Sequence, residues 1–496
     1  MAESTELLTT TQMYHADRLA IDGGVPGVIL MEAAGRGVAD RIMDYWDTGS
    51  CLVICGPGKN GGDGYVIARH LQEAGWRVIL LSTCDPDTLS GDAAVMRSRW
   101  DGPSQSIAKA DPLKIDLVVD AAFGAGFSRA LAPDIVSLFA TIRTAKIPVV
   151  AVDVPSGVNG DTGTVDAGAL LAAMTVTFYR AKPGHFLYPA RVYCGRLEVI
   201  DIGIREEYLE AISPDTFSNS PEIWKSNLQI IQPSDHKYSR GHAAVVGGGI
   251  SSTGAARIAS RCSLRAGAGA TTLICPPSAL TTYAAALEAV MVRACSDAEI
   301  FADWIEDKRI GTILIGPGCG LSDRTEELVG AALKSNANVI LDADALTIFK
   351  DKPETLFDLI RSKGNGKCIL TPHEAEFARL FSFEGSKLER ARQAAEQSNA
   401  VILLKGADTI IASPQGQAII NYNAPAFLAT AGSGDALAGI IAGLVSANMS
   451  TFNAAAAAAW IHGEAGMRFG PGLIAEDIEQ EIPAVLSDLY ELLQIA

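Results

Sequence analysis

Thr430-Ala431-Gly432-Ser433-Gly434-Asp435 runs directly into the apolar segment Ala436–Val445. Small residues at the head of a buried helix leave backbone N–H groups open, and the helix dipole there favours an anion. An aspartate on the first turn can take a proton from a nucleophile. An anion cradle beside a base is what phosphoryl transfer to a hydroxyl requires. A glycine-rich tight turn has the same composition, so the surroundings decide between the two readings. Ala418–Asn421 reads as a strand before the segment and Asp435–Val445 as a helix after it, which makes it a strand-to-helix junction of an α/β sheet.

The same alternation extends back through the second half. Strands are expected at Ala243–Val246, Thr271–Cys275, Thr312–Ile315, Val339–Leu341, Cys368–Leu370 and Val401–Leu404. Helices are expected at Gly254–Ala266, Arg324–Ser335, Glu374–Phe381, Lys387–Gln397, Asn453–Phe469 and Ile478–Leu493. The run Ala454–Ala459 is helix packing, because alanine is the best helix former. The first half forms a separate series, with strands at Cys51–Cys55, Val78–Ser82, Leu117–Asp120, Val149–Val152, Val176–Tyr179 and Leu197–Ile200 and helices such as Tyr65–Ala74 and Asp134–Thr144. Between the halves, Ser213–Pro233 breaks into Ser, Pro, Asn and Asp. The expected organisation is a domain over 1–215, a connection over 216–232 and a second domain over 233–496, each a sheet between two helical layers.

Composition narrows the partners. Nearly half of the 496 residues are apolar, and the formal net charge is −17, which argues against nucleic acid or an anionic membrane. A phosphate ligand must then be held by local dipoles and a few lysines. The nine cysteines form no C-x-x-C pair, as expected for a reduced cytoplasmic protein, and no transmembrane or signal segment is read. Apolar helices such as Asn453–Phe469 could serve a homo-oligomer interface.

Three strand ends of the first half carry polar clusters. Gly56-Pro57-Gly58-Lys59-Asn60-Gly61-Gly62-Asp63-Gly64 follows the first strand; its spacing fits neither the dinucleotide fingerprint nor a P-loop. Asp120 ends a strand ahead of Gly124-Ala125-Gly126-Phe127-Ser128-Arg129-Ala130, and Asp153 ends another in Asp153-Val154-Pro155-Ser156-Gly157. Ligands of open α/β sheets bind at such ends, although an aspartate there can also simply cap a turn. Oxygens from Asn60, Asp120 and Ser156, without His or Cys, suit a hard cation. With Leu30-Met31-Glu32-Ala33-Ala34-Gly35, these blocks resemble the YjeF N-terminal family, the NAD(P)H-hydrate epimerases. The resemblance implies a Rossmann-like domain in which Asn60, Asp120 and Ser156 hold potassium. It implies that Gly58, Lys59, Asn60, Gly61, Gly62, Gly124, Ala125, Gly126, Phe127, Ser128, Arg129, Ala130 and Asp153 line the hydrated nucleotide, with Asp153 as acid/base. The family often has Asn in place of Lys59 and Thr in place of Ala125.

The second half repeats the theme with other residues. Polar or glycine-rich groups stand at His236–His242, Gly247-Gly248-Gly249, Thr253-Gly254-Ala255-Ala256, Gly316-Pro317-Gly318-Cys319-Gly320, Asp342-Ala343-Asp344, Thr371-Pro372-His373-Glu374-Ala375-Glu376 and Lys405–Thr409. Singly, each has a plain reading: His373 as a helix-start residue, Asp342 and Asp344 as caps. Together they fall at strand-to-helix junctions. The blocks resemble the YjeF C-terminal family of ADP- or ATP-dependent NAD(P)H-hydrate dehydratases, within the ribokinase-like superfamily. The resemblance implies that Ala255, Gly318, His373 and Asp435 contact the hydrate. Lys405, Gly406, Ala407, Asp408, Thr409 and Gly434 would contact ADP, with Glu376 near magnesium and Asp435 as the base. The expected substrates are thus NADHX, NADPHX and ADP, with potassium and Mg2+ as cofactors. The rival reading is a sugar or vitamin kinase with a binding domain attached; such kinases usually carry an Asn-x-x-Glu block where Thr371-Pro372-His373 stands.

Overall fold

The structure is a computed structural model that describes residues 4–107, 115–127 and 129–492. The chain separates into two compact units, Met1–Thr216 and Phe217–Ala496. In the first, strands β1 (Ser50–Cys55), β2 (Arg77–Ser82), β3 (Ser104–Ser106), β4 (Leu117–Ala121), β5 (Val149–Val152), β6 (Met174–Phe178) and β7 (Arg196–Ile200) form a sheet in the order β3-β2-β1-β4-β5-β6-β7. All neighbours pair in parallel, for example Cys51 opposite both Val78 and Leu117. Residues of one strand alternate between two cores. Cys51, Val53 and Cys55 face the helices Gly27–Tyr45 and Lys59–Glu73, while Leu52 and Ile54 pack with Ile135, Leu138 and Phe139 of the helix Pro133–Ala145. Burial on both faces is why the strands read as continuous apolar runs. The order of strands reverses between β1 and β4, the crevice where ligands of doubly wound sheets sit.

In the second unit, β8 (His242–Val246), β9 (Ala270–Cys275), β10 (Met291–Ala294), β11 (Ile310–Ile315), β12 (Asn338–Leu341), β13 (Cys368–Leu370), β14 (Val401–Leu404), β15 (Thr409–Ala412) and β16 (Ala418–Asn421) lie in the order β16-β15-β14-β13-β12-β11-β8-β9-β10. Pairing is parallel from β14 to β10 and antiparallel between β14, β15 and β16. The reversal here falls between β8 and β11. One face is covered by the helices Gly254–Arg265, Ser433–Ser446 and Thr451–Phe469, the other by Asp323–Lys334, Pro353–Lys363 and Lys387–Ser398. Gly439 abuts the backbone of Ala259, and Gly443 that of Ser263. The constant offset means that these two helices run parallel, with both N-termini at one end.

Several expectations are revised. The helix expected from Tyr65 begins at Lys59, so Asn60-Gly61-Gly62-Asp63-Gly64 is helical. Its glycines serve close packing: Gly61 lies against Gly56, Gly62 against Met31, and Gly64 against Cys55 and Ala121. The strand expected at Val176–Tyr179 is Met174–Phe178. Edge strands Ser104–Ser106 and Met291–Ala294 carry no continuous apolar run and gave no signal. The segment expected as a connection contains strand Thr216–Ser218 and helix Pro221–Trp224, and Trp224 is fully buried against Trp460. Ala454–Ala459 and Ile461 are buried inside the second unit, which leaves the helix Thr451–Phe469 little apolar surface beyond Met467 and Phe469 for an interface. No helix among the described residues is long and apolar enough to cross a membrane.

Candidate active sites

A cavity of about 410 Å³ opens at the β1/β4 reversal of the first unit. Of the residues expected around the nucleotide, Gly58, Lys59, Asn60, Gly124, Ala125, Gly126, Phe127, Arg129 and Asp153 line this cavity. Gly61 and Gly62 do not, being committed to helix packing, and Ala130 is exposed outside it. Ser128 lies outside the described residues. Lys59 stands at the rim, 2.8 Å from Asp17 Oδ2 and over the Tyr14 ring. Phe123 and Phe127 stack at 4.2 Å, a flat apolar wall of the kind that receives a ring.

Asp153 is the best-held group in this cavity. It follows β5 with φ of 67°, a left-handed conformation rare for a non-glycine and a mark of functional strain. Its Oδ2 accepts from the Ala125 amide at 2.9 Å. Its Oδ1 accepts from Thr177 Oγ1 at 2.9 Å and Lys182 Nζ at 2.6 Å. Burial alone would raise the carboxyl, but the Lys182 ammonium overrides it and holds Asp153 down at about 2. His185 buttresses the pair: its Nδ1 accepts from the Lys182 amide at 2.9 Å, so Nε2–H donates to the Asp153 carbonyl at 2.8 Å. Burial, aided by Lys182, keeps this imidazole neutral, at about 4.

Lys182 and His185 were not foreseen; the signal was Lys182-Pro183-Gly184-His185 directly after a strand end. Asp63 was expected only as an oxygen donor of the glycine-rich block, without a proton-transfer role. It lines the same cavity from the second turn of its helix, and burial together with the Asp153 charge pushes its carboxyl well up. One cavity therefore presents one carboxyl held down and another pushed well up.

Asp120 and Ser156 lie beneath the cavity and are fully buried. Asp120 accepts from Ser156 N at 2.8 Å and from Ser156 Oγ at 2.6 Å. Burial raises its carboxyl, and no Lys or Arg among the described residues pairs with it. Asn60, which lines the cavity, has a buried Nδ2 without a partner. A Cβ on Gly124 would meet both Asn60 Oδ1, at 3.4 Å, and Asp153 Oδ2, at 3.1 Å, so Asn60 and Asp153 border the same spot. A buried, unpaired carboxyl among neutral oxygen donors fits a hard cation.

The second site lies at the β8/β11 reversal. Ser252 Oγ donates to Gly318 O at 3.0 Å, and Gly318 faces Ala255. A Cβ on Gly248 would collide with the Gly318 carbonyl. Gly248→Ala is therefore expected to part the two loops and cut turnover at this site at least tenfold while leaving turnover at the first site unchanged, measured side by side on one preparation. Across the site, Gly432 adopts φ of 87° as the N-cap of the helix Ser433–Ser446 and supplies no side-chain cap. The amides of Gly434 and Asp435 have no acceptor among the described residues and stay open to a ligand. By contrast, Ser386 closes its helix with a capping box.

Lys405 Nζ sits 2.7 Å from Asp342 Oδ1 and 3.9 Å from Glu376 Oε2, beside Gly434. Burial opposes its charge, but Asp342 more than offsets this and holds the ammonium. Burial, with Asp342 next, raises Asp435 to about 6 against the pull of Lys405. His373 caps the helix Glu374–Leu380, its Nδ1 accepting from the Ala375 and Glu376 amides at 3.1 and 3.2 Å, while its ring stays half exposed. Glu376 Oε2 accepts from the His373 amide at 2.9 Å. Within the expected nucleotide segment, only Lys405 points at the helix N-terminus. Asp408 is bound to Lys387 at 2.7 Å, and Thr409 Oγ1 closes a turn on Gly406, so Gly406, Ala407, Asp408 and Thr409 offer chiefly backbone.

Residues 27–184 match the family described as YjeF-related protein N-terminus, and residues 243–483 match NAD(P)H-hydrate dehydratase. A bifunctional NAD(P)H-hydrate repair enzyme from Salinibacter ruber is 33% identical, covering 98% of this chain and 96% of that one. One from Moorella thermoacetica is 34% identical, covering 98% and 97%. A solved ADP/ATP-dependent NAD(P)H-hydrate dehydratase from Bacillus subtilis, co-crystallized with ATP/Mg2+, is 24% identical and covers 55% of this chain and 98% of its own, with a TM-score of 0.46. With both halves matched in order and relatives aligned along nearly its whole length, the chain belongs to the family of bifunctional NAD(P)H-hydrate repair enzymes.

Proposed function

We propose that the first unit interconverts the R and S epimers of hydrated NADH and NADPH, and that the second dehydrates the S epimer while ADP is split to AMP and phosphate. The observation that carries this reading is the open helix N-terminus at Gly432–Asp435, with the Asp435 base and the Lys405 ammonium beside it.

Asp435 takes the proton from the hydroxyl that hydration placed on the nicotinamide ring. The freed oxygen attacks the terminal phosphorus of ADP, and AMP departs. The Gly434 and Asp435 amides and Lys405 receive the charge that grows on the phosphoryl oxygens. The ring nitrogen then expels phosphate, and loss of a proton from the adjacent carbon restores the double bond. Glu376 would hold Mg2+ here, and the ion would supply charge neutralisation at the nucleotide phosphates.

In the first unit, epimerisation requires the ring hydroxyl to leave and return on the other face, or an equivalent opening of the ring. Asp153 is the proton acceptor, because Lys182 holds its carboxyl down at about 2, and Asp63, whose carboxyl burial and the Asp153 charge push well up, is the group to give a proton. Asn60, Asp120 and Ser156 would hold potassium, which supplies positive charge beneath the cavity. Free cysteines throughout suit the reducing cytoplasm.

Hydrated NADH incubated with the protein, ADP and Mg2+ should recover its absorbance at the NADH band, with stoichiometric free phosphate. A phosphorylated small molecule accumulating in place of free phosphate would mean a kinase instead. No recovery with ADP or ATP from either epimer would refute the reading.

A further inference from the structure

His462 takes no part in the steps above, yet it touches the anion-binding helix N-terminus. It lies on the helix Thr451–Phe469, and its Nε2 is 3.0 Å from Ser433 Oγ; both side chains are buried. Ser433 is the first residue of the helix whose open amides follow it. A buried histidine has a structural reading too, as a hydrogen-bonded filler of the core. The partner argues for more, since a hydroxyl at the first position of an anion-binding helix can itself donate to the anion. Which way it points depends on the imidazole. A neutral ring carries one N–H. If Nε2 lacks the proton, Ser433 spends its hydroxyl hydrogen on His462 and turns a lone pair towards the anion. If Nε2 carries it, the ring donates to Ser433 Oγ and the hydroxyl hydrogen is free for a phosphoryl oxygen.

We propose that His462 is a positioning residue of the dehydratase: its Nε2–H donates to Ser433 Oγ and sets the Ser433 hydroxyl as a third donor to the transferring phosphoryl group, beside the Gly434 and Asp435 amides. Burial lowers the imidazole to about 4, so it stays neutral at working pH and can act as a one-proton director. The proposal rests on the dehydratase reading of this helix N-terminus. Because the phosphoryl oxygens gain charge as the transfer proceeds, the extra donor acts on turnover more than on binding.

Two measurements test it. In the full-length protein, Ser433→Ala and His462→Ala should each lower dehydratase kcat by about tenfold or more, with KM for hydrate and ADP within about twofold. The double variant should lose no more than either alone, and His462→Gln, whose amide can stand in for Nε2–H, should recover most of the loss. An unchanged kcat in Ser433→Ala, or losses that multiply in the double variant, overturns the proposal; Ser433→Ala keeps it refutable if His462→Ala does not fold. Independently of turnover, 15N NMR of the histidine-labelled protein saturated with ADP and Mg2+ should show His462 neutral with its proton on Nε2. A proton on Nδ1, or a charged ring, overturns the proposal even in a protein that failed to dehydrate the hydrate, whereas that failure with Nε2–H intact would count against the dehydratase reading alone.

Discussion

Replacing Asp435, the proposed base, by asparagine should lower dehydratase kcat by about two to four orders of magnitude, the usual contribution of a positioned general base. The substitution keeps the volume and one hydrogen-bonding oxygen at the head of the Ser433–Ser446 helix, so KM for both substrates stays close to its original value. The pH profile carries the same information. Burial and the Asp342 carboxylate lift Asp435 to about 6, so the base form is present above that pH and is titrated away below it. Wild-type kcat should therefore fall about tenfold per unit on the acid side of about 6. The residual rate of the variant should lack that acid limb. Epimerase activity of the same preparation should not change. NADH absorbance over pH 5–8, with ADP saturating, measures all of this, and full turnover by the variant would remove Asp435 from the mechanism.

Lys182→Met strikes the other unit and acts on stability as well as on rate. Lys182 is almost fully buried, and Asp153 relies on it for charge balance. Removing one partner of a buried ion pair leaves the other uncompensated and costs about 3–5 kcal/mol. The pair's contribution is present above the unfolded carboxyl value near 4 and is lost as pH falls towards about 2, because the folded value lies below the unfolded one. The variant should accordingly unfold at lower temperature at pH 7, and the difference from wild type should shrink towards pH 2–3. Without the ammonium, burial pushes the Asp153 carboxyl up, so on the proposed role epimerisation should fail even in molecules that fold. Calorimetry on the full chain, with the two epimers followed by chromatography, checks both effects. An unaltered melting profile would mean that the pair is not the support described.

Strand ends were largely legible from sequence, because strands buried on both faces must be continuous apolar runs, and β1, β5, β13, β14 and β16 fall within a residue of expectation. Edge strands were not, since Ser104–Ser106 and Met291–Ala294 bury too little to carry a pattern. The run Asn60–Gly64 misled for a different reason. Glycines that permit helix-to-sheet contact are chemically identical to glycines that turn a loop, and only the lack of room for a Cβ at Gly61 and Gly64 tells them apart. For the sites, carboxylates at strand ends were readable because topology gathers them. The ion partner of Asp153 was not, because Lys182 comes from the loop that follows the neighbouring strand, and pairing between segments brought together by the sheet leaves no spacing rule in the chain. The roles of Asp408 and Thr409 were likewise hidden, as both spend their side chains on local contacts.

The parallel pair formed by Gly254–Arg265 and Ser433–Ser446 has a consequence of its own. Backbone against backbone, at Gly439 on Ala259 and Gly443 on Ser263, two aligned dipoles lie closer than bulky side chains would allow. Aligned neighbours repel, and their positive ends crowd together at the edge of the sheet. Packing holds them there, with no flexible side chain between them through which the spacing could relax. A negatively charged guest at that end offsets the repulsion between the two positive ends. Nucleotide affinity and the folding stability of this unit are therefore linked properties, and a substitution that loosened the helix contact would weaken both at once.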